Sequence, residues 1–127
     1  MKAFNVVIVD DFPAFGNKLA ALLETIPGVK VVGRAEDAAS GINRILDLRP
    51  DAAIVDIRLP DGTGFDVLAQ VKPKAPEIAI VLMTAFTDGE YADLSRKAGA
   101  DYFFHKSTGL RDMFQAVRQM ANGRREP

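Results

Sequence analysis

The chain has 127 residues, 48% apolar and 26% charged, with 16 basic and 17 acidic side chains and a formal net charge of −1. That length suits one domain burying about two-thirds of the surface its unfolded chain exposes. The near-zero charge gives no electrostatic reason for direct nucleic-acid or membrane binding. With no cysteine and one histidine, His105, the chain has no disulfides, thiolate zinc sites, thiol nucleophiles or multi-histidine metal centres. Neither a signal peptide nor a membrane-spanning run is visible, so the cytoplasm is the expected compartment.

Short apolar runs alternate with longer helical ones along the chain. Phe4 to Val9 reads as a strand closing on Asp10-Asp11. A helix follows from Pro13, a residue suited to a first turn, with Leu19, Leu22, Leu23 and Ile26 on one face and Pro27-Gly28 as its stop. Val29 to Ala35 is the second strand, and Asp37 can cap a helix whose inward positions are Ala38, Ile42, Ile45 and Leu46, ending at Arg49-Pro50. Ala52 to Asp56 is a run without alternation, the pattern of a strand buried on both faces. Gly62 and Gly64 predict a tight turn with unusual backbone angles, before a short helix from Phe65 to Lys72. Ile78 to Met83 is the fourth strand, closing on Thr84. A helix is predicted from Asp88 to Ala98, with Tyr91, Leu94 and Ala98 inward and Gly99 as its stop. Asp101 to Phe104 is the fifth strand, closing on His105-Lys106. The last helix carries Leu110, Met113, Phe114, Val117, Met120 and Ala121 as a stripe, ends at Asn122-Gly123, and leaves 124–127 as a polar tail beyond a domain of residues 1–123.

Strands this apolar, alternating with helices, predict an α/β domain: one parallel sheet with helices on both faces. Right-handed crossovers put every strand's carboxyl end on one edge. Asp10-Asp11, Asp56, Thr84 and Lys106 therefore converge there, where open sheets of this kind bind ligands. Three carboxylates cannot share that edge alone, since two unit charges about 4 Å apart repel by roughly 4 kcal/mol at an effective dielectric near 20. An all-oxygen donor set favours a hard cation, magnesium above calcium. A carboxylate beside such an ion, a lysine and a threonine hydroxyl suits phosphoryl transfer, because an ionised aspartate is already a nucleophile.

These motifs resemble the receiver domains of two-component response regulators, the CheY-like family, over residues 4 to 122. The matching stretches are Asp10-Asp11, Asp56 in "IVDIRLPDGTGFDVL", Thr84-Ala85 in "IVLMTA", and Phe103 with Lys106 in "GADYFFHK". The resemblance implies a flavodoxin-like doubly wound sheet of five parallel strands in the order 2-1-3-4-5. It also implies that Asp56 is the phosphoacceptor for a sensor histidine kinase or phosphotransfer protein. Asp11, Asp56 and the Arg58 backbone carbonyl would be direct Mg2+ ligands, with Asp10 acting largely through water. Lys106 and Thr84 would contact the phosphoryl group. Phe103 would be the switch aromatic, changing a surface of the fourth helix, fifth strand and fifth helix toward an output partner. Such a domain is a signalling phosphoacceptor that assists its own phosphorylation and dephosphorylation, and not an enzyme acting on others. Ser107 stands where the family most often has proline after the lysine, and Phe103 lacks the hydroxyl of the common tyrosine, so a softer switch is expected. The segments "VKVVGRAEDAASG" and "DIRLPDGTGFDVL" resemble receivers that precede DNA-binding domains. A stand-alone receiver is the expectation here, against an excised N-terminal domain.

Plainer readings exist for each residue. The acid pair could serve a helix N-terminus, Thr84 its own loop, Lys106 solvent, and Tyr102 to Phe104 simple packing. His105 is expected at the rim without chemistry, and Arg124-Arg125 in a solvated tail. A magnesium phosphohydrolase is the main alternative function. Such enzymes commonly carry a second carboxylate two residues after the nucleophile, where this chain has Arg58. A structural module with an unused pocket is a third reading. A flavin-type binder fits least, because the loop from Asp10 to Phe15 is acidic and has no phosphate cradle.

Overall fold

The computed structural model of the chain describes residues 2–86 and 89–125, without the side chains of 124 and 125. The elements are β1 (Phe4–Val9), α1 (Pro13–Leu23), β2 (Val29–Ala35), α2 (Ala38–Leu48), β3 (Ala52–Asp56), β4 (Arg58–Leu59), β5 (Gly62–Thr63), α3 (Gly64–Val71), β6 (Ala79–Thr84), α4 (Glu90–Ala98), β7 (Tyr102–His105) and α5 (Leu110–Arg125). Five strands form one sheet in the order β2-β1-β3-β6-β7, every pairing parallel, which is the expected 2-1-3-4-5 arrangement.

Alternate residues of the central strands feed two cores. Val7, Val9, Val55, Ile80 and Leu82 pack with Ile45 of α2 and Val67, Leu68 and Val71 of α3. Val6, Ile8, Ile54, Val81 and Met83 pack on the other face with Leu19 and Leu23 of α1 and Met113, Val117 and Ala121 of α5. All five residues of β3 are buried, as the unalternated run predicts. At the edge opposite the acids, Lys72, the residue that caps the C-terminus of α3, pairs with Asp101 at 2.7 Å, and the same carboxylate oxygen accepts from the Ile80 amide at 2.7 Å. This ties the start of β6 to the start of β7.

Several local expectations are corrected. Ile26 is buried but lies beyond α1, which ends at Leu23. Gly62 and Gly64 do not adopt positive φ; among the described glycines only Gly28 and Gly99 do. The turn at Pro60-Asp61 is instead closed by the two-residue antiparallel ladder β4–β5. In α4 the buried residue is Ser95, while Leu94 and Ala98 are exposed. The predicted first residue of that helix, Asp88, lies outside the described residues. α5 runs through Asn122-Gly123 to Arg125. One glycine costs a helix about 1 kcal/mol, and Met113, Val117 and Ala121, each at most 1% exposed, anchor the preceding turns. The expected tail thus begins within helix. The described residues contain no cis peptide bond.

Candidate functional site

Register brings the site together. In the ladder Asp56 lies opposite Met83, and Thr84 opposite His105. Beyond the strands, the Asp10 amide donates to Ala35 O at 2.9 Å and the Lys106 amide to Thr84 O at 2.8 Å. Asp10, Asp56, Thr84 and Lys106 are therefore consecutive steps along one sheet edge, fixed by backbone hydrogen bonds before any side chain is considered.

Lys106 Nζ lies 2.7 Å from Asp56 Oδ2 and 2.8 Å from Asp10 Oδ2. The first contact is an aligned hydrogen bond. The second is a close ion pair out of alignment, so among the described residues Asp10 Oδ2 is a buried acceptor with an ion pair but no aligned hydrogen bond. The Asp10 and Asp56 side chains are 1% and 7% exposed, and that of Lys106 12%. Asp10 Oδ1 accepts from the Phe12 amide at 2.7 Å, and Asp56 Oδ1 from the Arg58 amide at 3.2 Å. The Phe15 ring supports the ammonium, its centroid 4.7 Å from Nζ.

Burial raises the Asp56 carboxyl above its ordinary value, outweighing its hydrogen bond and attraction to Lys106. For Lys106, burial works toward a lower value, but the close contacts and negative charges of Asp10 and Asp56 together outweigh it and raise the ammonium. One ammonium shared between two acids is held charged by both, while Asp56 receives only part of its compensation.

Asp10, Asp11 and Asp56 each place one carboxylate oxygen within 4.8 Å of the others, with Asp11 exposed and the other two buried. An acidic cluster at the carboxyl end of a sheet, its buried Asp10 Oδ2 held among the described residues only by the ion pair with Lys106, fits a hard cation with retained water. A cleft of about 530 Å3 between α1, β2 and α2 reaches these acids only through Asp10. Asp10 and Asp56 are buried, while Asp11 of the same cluster and the neighbouring Phe12 are exposed.

The model of the response regulator receiver domain family matches residues 6–118. The chain belongs to this family. It is 31% identical over 119 residues to the DNA-binding transcriptional activator DevR/DosR of Mycobacterium tuberculosis, a match covering 94% of this chain and 55% of that protein. It is 28% identical over 120 residues to the response regulator GacA of Pseudomonas aeruginosa, covering 94% and 56%. The chain thus spans about half the length of these curated relatives. Among solved structures it resembles a CheY-like response regulator receiver domain protein from Methanospirillum hungatei, with a TM-score of 0.83, 26% identity and 96% of both chains covered.

Within this receiver, Asp10, Asp56, Thr84 and Lys106 stand at neighbouring strand ends, with Asp11 clustered beside the first two. Thr84 is fully buried, and its Oγ1 accepts from the Phe86 amide at 3.1 Å, so in this state it serves its own loop. Phe103 is half-buried against the α2–α3 core and meets the edge of the His105 ring at 5.2 Å between centroids. His105 is half-buried, and its Nδ1 has no hydrogen-bond partner among the described residues.

Other participants were not anticipated. The Arg58 side chain leaves the acids, lies 4.1 Å over the Phe86 ring and donates to Tyr91 Oη at 3.2 Å. Asp61 accepts from the Ala38 and Ala39 amides at 2.6 and 3.0 Å, which lowers its carboxyl and fastens the β4–β5 turn to the start of α2. Thr63 and Asp66 form a capping box on α3, a pairing that the Thr-x-x-Asp spacing could have revealed.

Gly64 is needed for close approach. A Cβ there would stand 2.7 Å from Asp56 O and 3.1 Å from Ile57 Cα. Both atoms belong to the backbone that positions Asp56, so Gly64→Ala should cost about 2 kcal/mol or more in urea unfolding. A variant as stable as wild type would show that the β3–α3 junction yields freely.

Proposed function

We propose that Asp56 accepts a phosphoryl group from a phosphohistidine on a sensor histidine kinase or phosphotransfer protein, in the cytoplasm where such donors are charged. The observation that carries this reading is the Asp56 carboxylate at the open end of β3, clustered with Asp10 and Asp11 and 2.7 Å from Lys106. An Asp56 oxygen forms the bond to phosphorus as the P–N bond breaks. The electron pair of that bond leaves with an imidazole which, protonated on its other nitrogen, departs neutral. Mg2+ is the proposed ion, held by Asp11, Asp56 and the Arg58 carbonyl with Asp10 largely through water, and it would offset charge on the phosphoryl oxygens. Lys106 keeps a positive charge at the same edge. Thr84 Oγ1 exchanges its contact with the Phe86 amide for donation to a phosphoryl oxygen.

The added charge, about −1.5 to −2 at neutral pH, then biases the surface. Thr84 moves toward Asp56, Phe103 turns further inward, and α4, β7 and α5 present a changed face to an output protein or domain. The chain acts as a signalling phosphoacceptor assisting its own phosphorylation and dephosphorylation. Incubation with acetyl phosphate and magnesium, followed by mass spectrometry, should show one added phosphoryl group that Asp56→Ala abolishes. No addition, or addition that survives the substitution, defeats the proposal.

A further inference from the structure

The cleft of about 530 Å3 between α1, β2 and α2 has no part in the phosphoacceptor reading. It is lined by two arginines, Arg34 and Arg44, and three acids, Asp10, Glu36 and Asp37. By formal charge the acids prevail, but two of them are already engaged. Asp10 accepts from the Phe12 amide and pairs with Lys106. Asp37 caps α2, accepting from the Ser40 amide at 2.8 Å and the Ser40 hydroxyl at 2.5 Å. Glu36 is exposed and has no hydrogen bond or ion pair among the described residues.

The arginines are differently placed. Arg34 donates only to neutral acceptors, Asn17 Oδ1 at 2.6 Å and Pro13 O at 3.3 Å. Arg44 is exposed and makes no hydrogen bond or ion pair among the described residues. A guanidinium carries five N–H donors, so most of this capacity is unused. Glycines seat both side chains. A Cβ at residue 16 would take the space of the Arg34 guanidinium, and one at residue 33 would stand 3.2 Å from Arg44 Cγ. Gly16 lies inside α1, where glycine costs about 1 kcal/mol against alanine. The α2 terminus supplies no competing donors, since the Ala38, Ala39 and Ser40 amides are taken by Asp61 and Asp37.

We propose that this cleft binds a phosphate monoester of a polyhydroxyl compound, a sugar phosphate, with its phosphate between Arg34 and Arg44. A carboxylate is filled by one guanidinium fork, whereas a terminal phosphate has a third oxygen and can bridge two. The remaining groups are acceptors, which ligand hydroxyls satisfy. They are the Glu36 carboxylate and Ser40 Oγ, whose own proton goes to Asp37. The volume lies within the range of small-molecule sites. Binding is non-covalent, and the ester stays intact.

Isothermal titration calorimetry of the full chain in chelator, without magnesium or a phosphodonor, tests this independently of Asp56 chemistry. The probes are ribose 5-phosphate, ribose, inorganic phosphate and O-phosphoserine. Ribose 5-phosphate should bind with a dissociation constant below about 1 mM, at least about fivefold tighter than phosphate or phosphoserine, and ribose should give no heat. Arg44→Gln, at an exposed position, should weaken it about tenfold, the loss of one charge-assisted contact. Arg34→Lys keeps the charge but not the fork and should also weaken it. Arg49→Gln, at an exposed arginine outside the cleft, should change nothing. Ribose 5-phosphate and inorganic phosphate binding alike would reveal an adventitious ion only and overturn the proposal. Phosphoserine binding as tightly as ribose 5-phosphate would assign the cleft to a phosphorylated peptide instead. Affinity that survives Arg44→Gln, or no heat from ribose 5-phosphate at millimolar concentration, defeats the site altogether.

Discussion

Lys106→Met should lower the unfolding free energy of chelator-treated protein by about 3 kcal/mol, the low end of the penalty for stripping a partner from buried charge. The low end applies because the site opens on solvent beside Asp11. Wild-type protein places one ammonium within 2.8 Å of both Asp10 and Asp56. Methionine keeps much of the stem's packing over Phe15 but leaves two carboxylates facing each other. Magnesium should therefore stabilise the variant more than wild type, since Lys106 no longer competes for the same oxygens. The pH dependence has a definite sign. Lys106 is raised in the folded state, so its contribution is complete below the ordinary lysine value and fades as pH rises through the folded one. Wild type and variant should converge only at strongly alkaline pH. Urea titrations with and without magnesium test this, and a variant within about 0.5 kcal/mol of wild type in chelator would show that the ammonium does not compensate the acids.

The sheet and the clustering of Asp10, Asp56, Thr84 and Lys106 at its carboxyl edge were legible in the sequence because both follow from strand ends. A run such as Ala52 to Asp56, apolar on both faces, has one architecture available, and parallel crossovers then dictate where its last residue emerges. Asp10, Thr84 and Lys106 were found by the same rule. What escaped was decided by tertiary contact. Nothing in the spacing of Arg58, Phe86 and Tyr91 announces that a guanidinium will stack on one ring and bond the hydroxyl of the other. Asp61 reads as a turn acid until α2 arrives beside it. The need for Gly64 was visible, but its cause is the nearness of Asp56 O and not a positive φ. In α4, apolar periodicity predicted the wrong inward face, because Tyr91 is inside and Ser95, four residues on, follows it.

Asp56→Asn should abolish phosphoryl uptake and, in the same metal-free protein, raise stability. Asparagine keeps the shape and can accept from the Arg58 amide or from Lys106 but not from both, and it carries no charge into a position where the side chain is 7% exposed. The sign follows from the raised carboxyl of Asp56. Its contribution to stability is fully present below the unfolded carboxylate value and is lost as pH rises through the folded value, so at neutral pH the wild type bears the loss and the variant does not. The difference should shrink as the medium becomes acidic enough to protonate Asp56 in both states. Asp11 and Asp10 remain, so magnesium should still bind the variant but more weakly, narrowing its advantage. A variant less stable than wild type in chelator at neutral pH would mean that the contact with Lys106 outweighs burial. The expected result instead places the instability on the reacting oxygen itself: the ionised carboxylate is disfavoured by its surroundings until a cation or a phosphoryl group arrives to share its charge. Improving the resting fold at this position removes the acceptor, and no substitution of Asp56 should achieve one without the other.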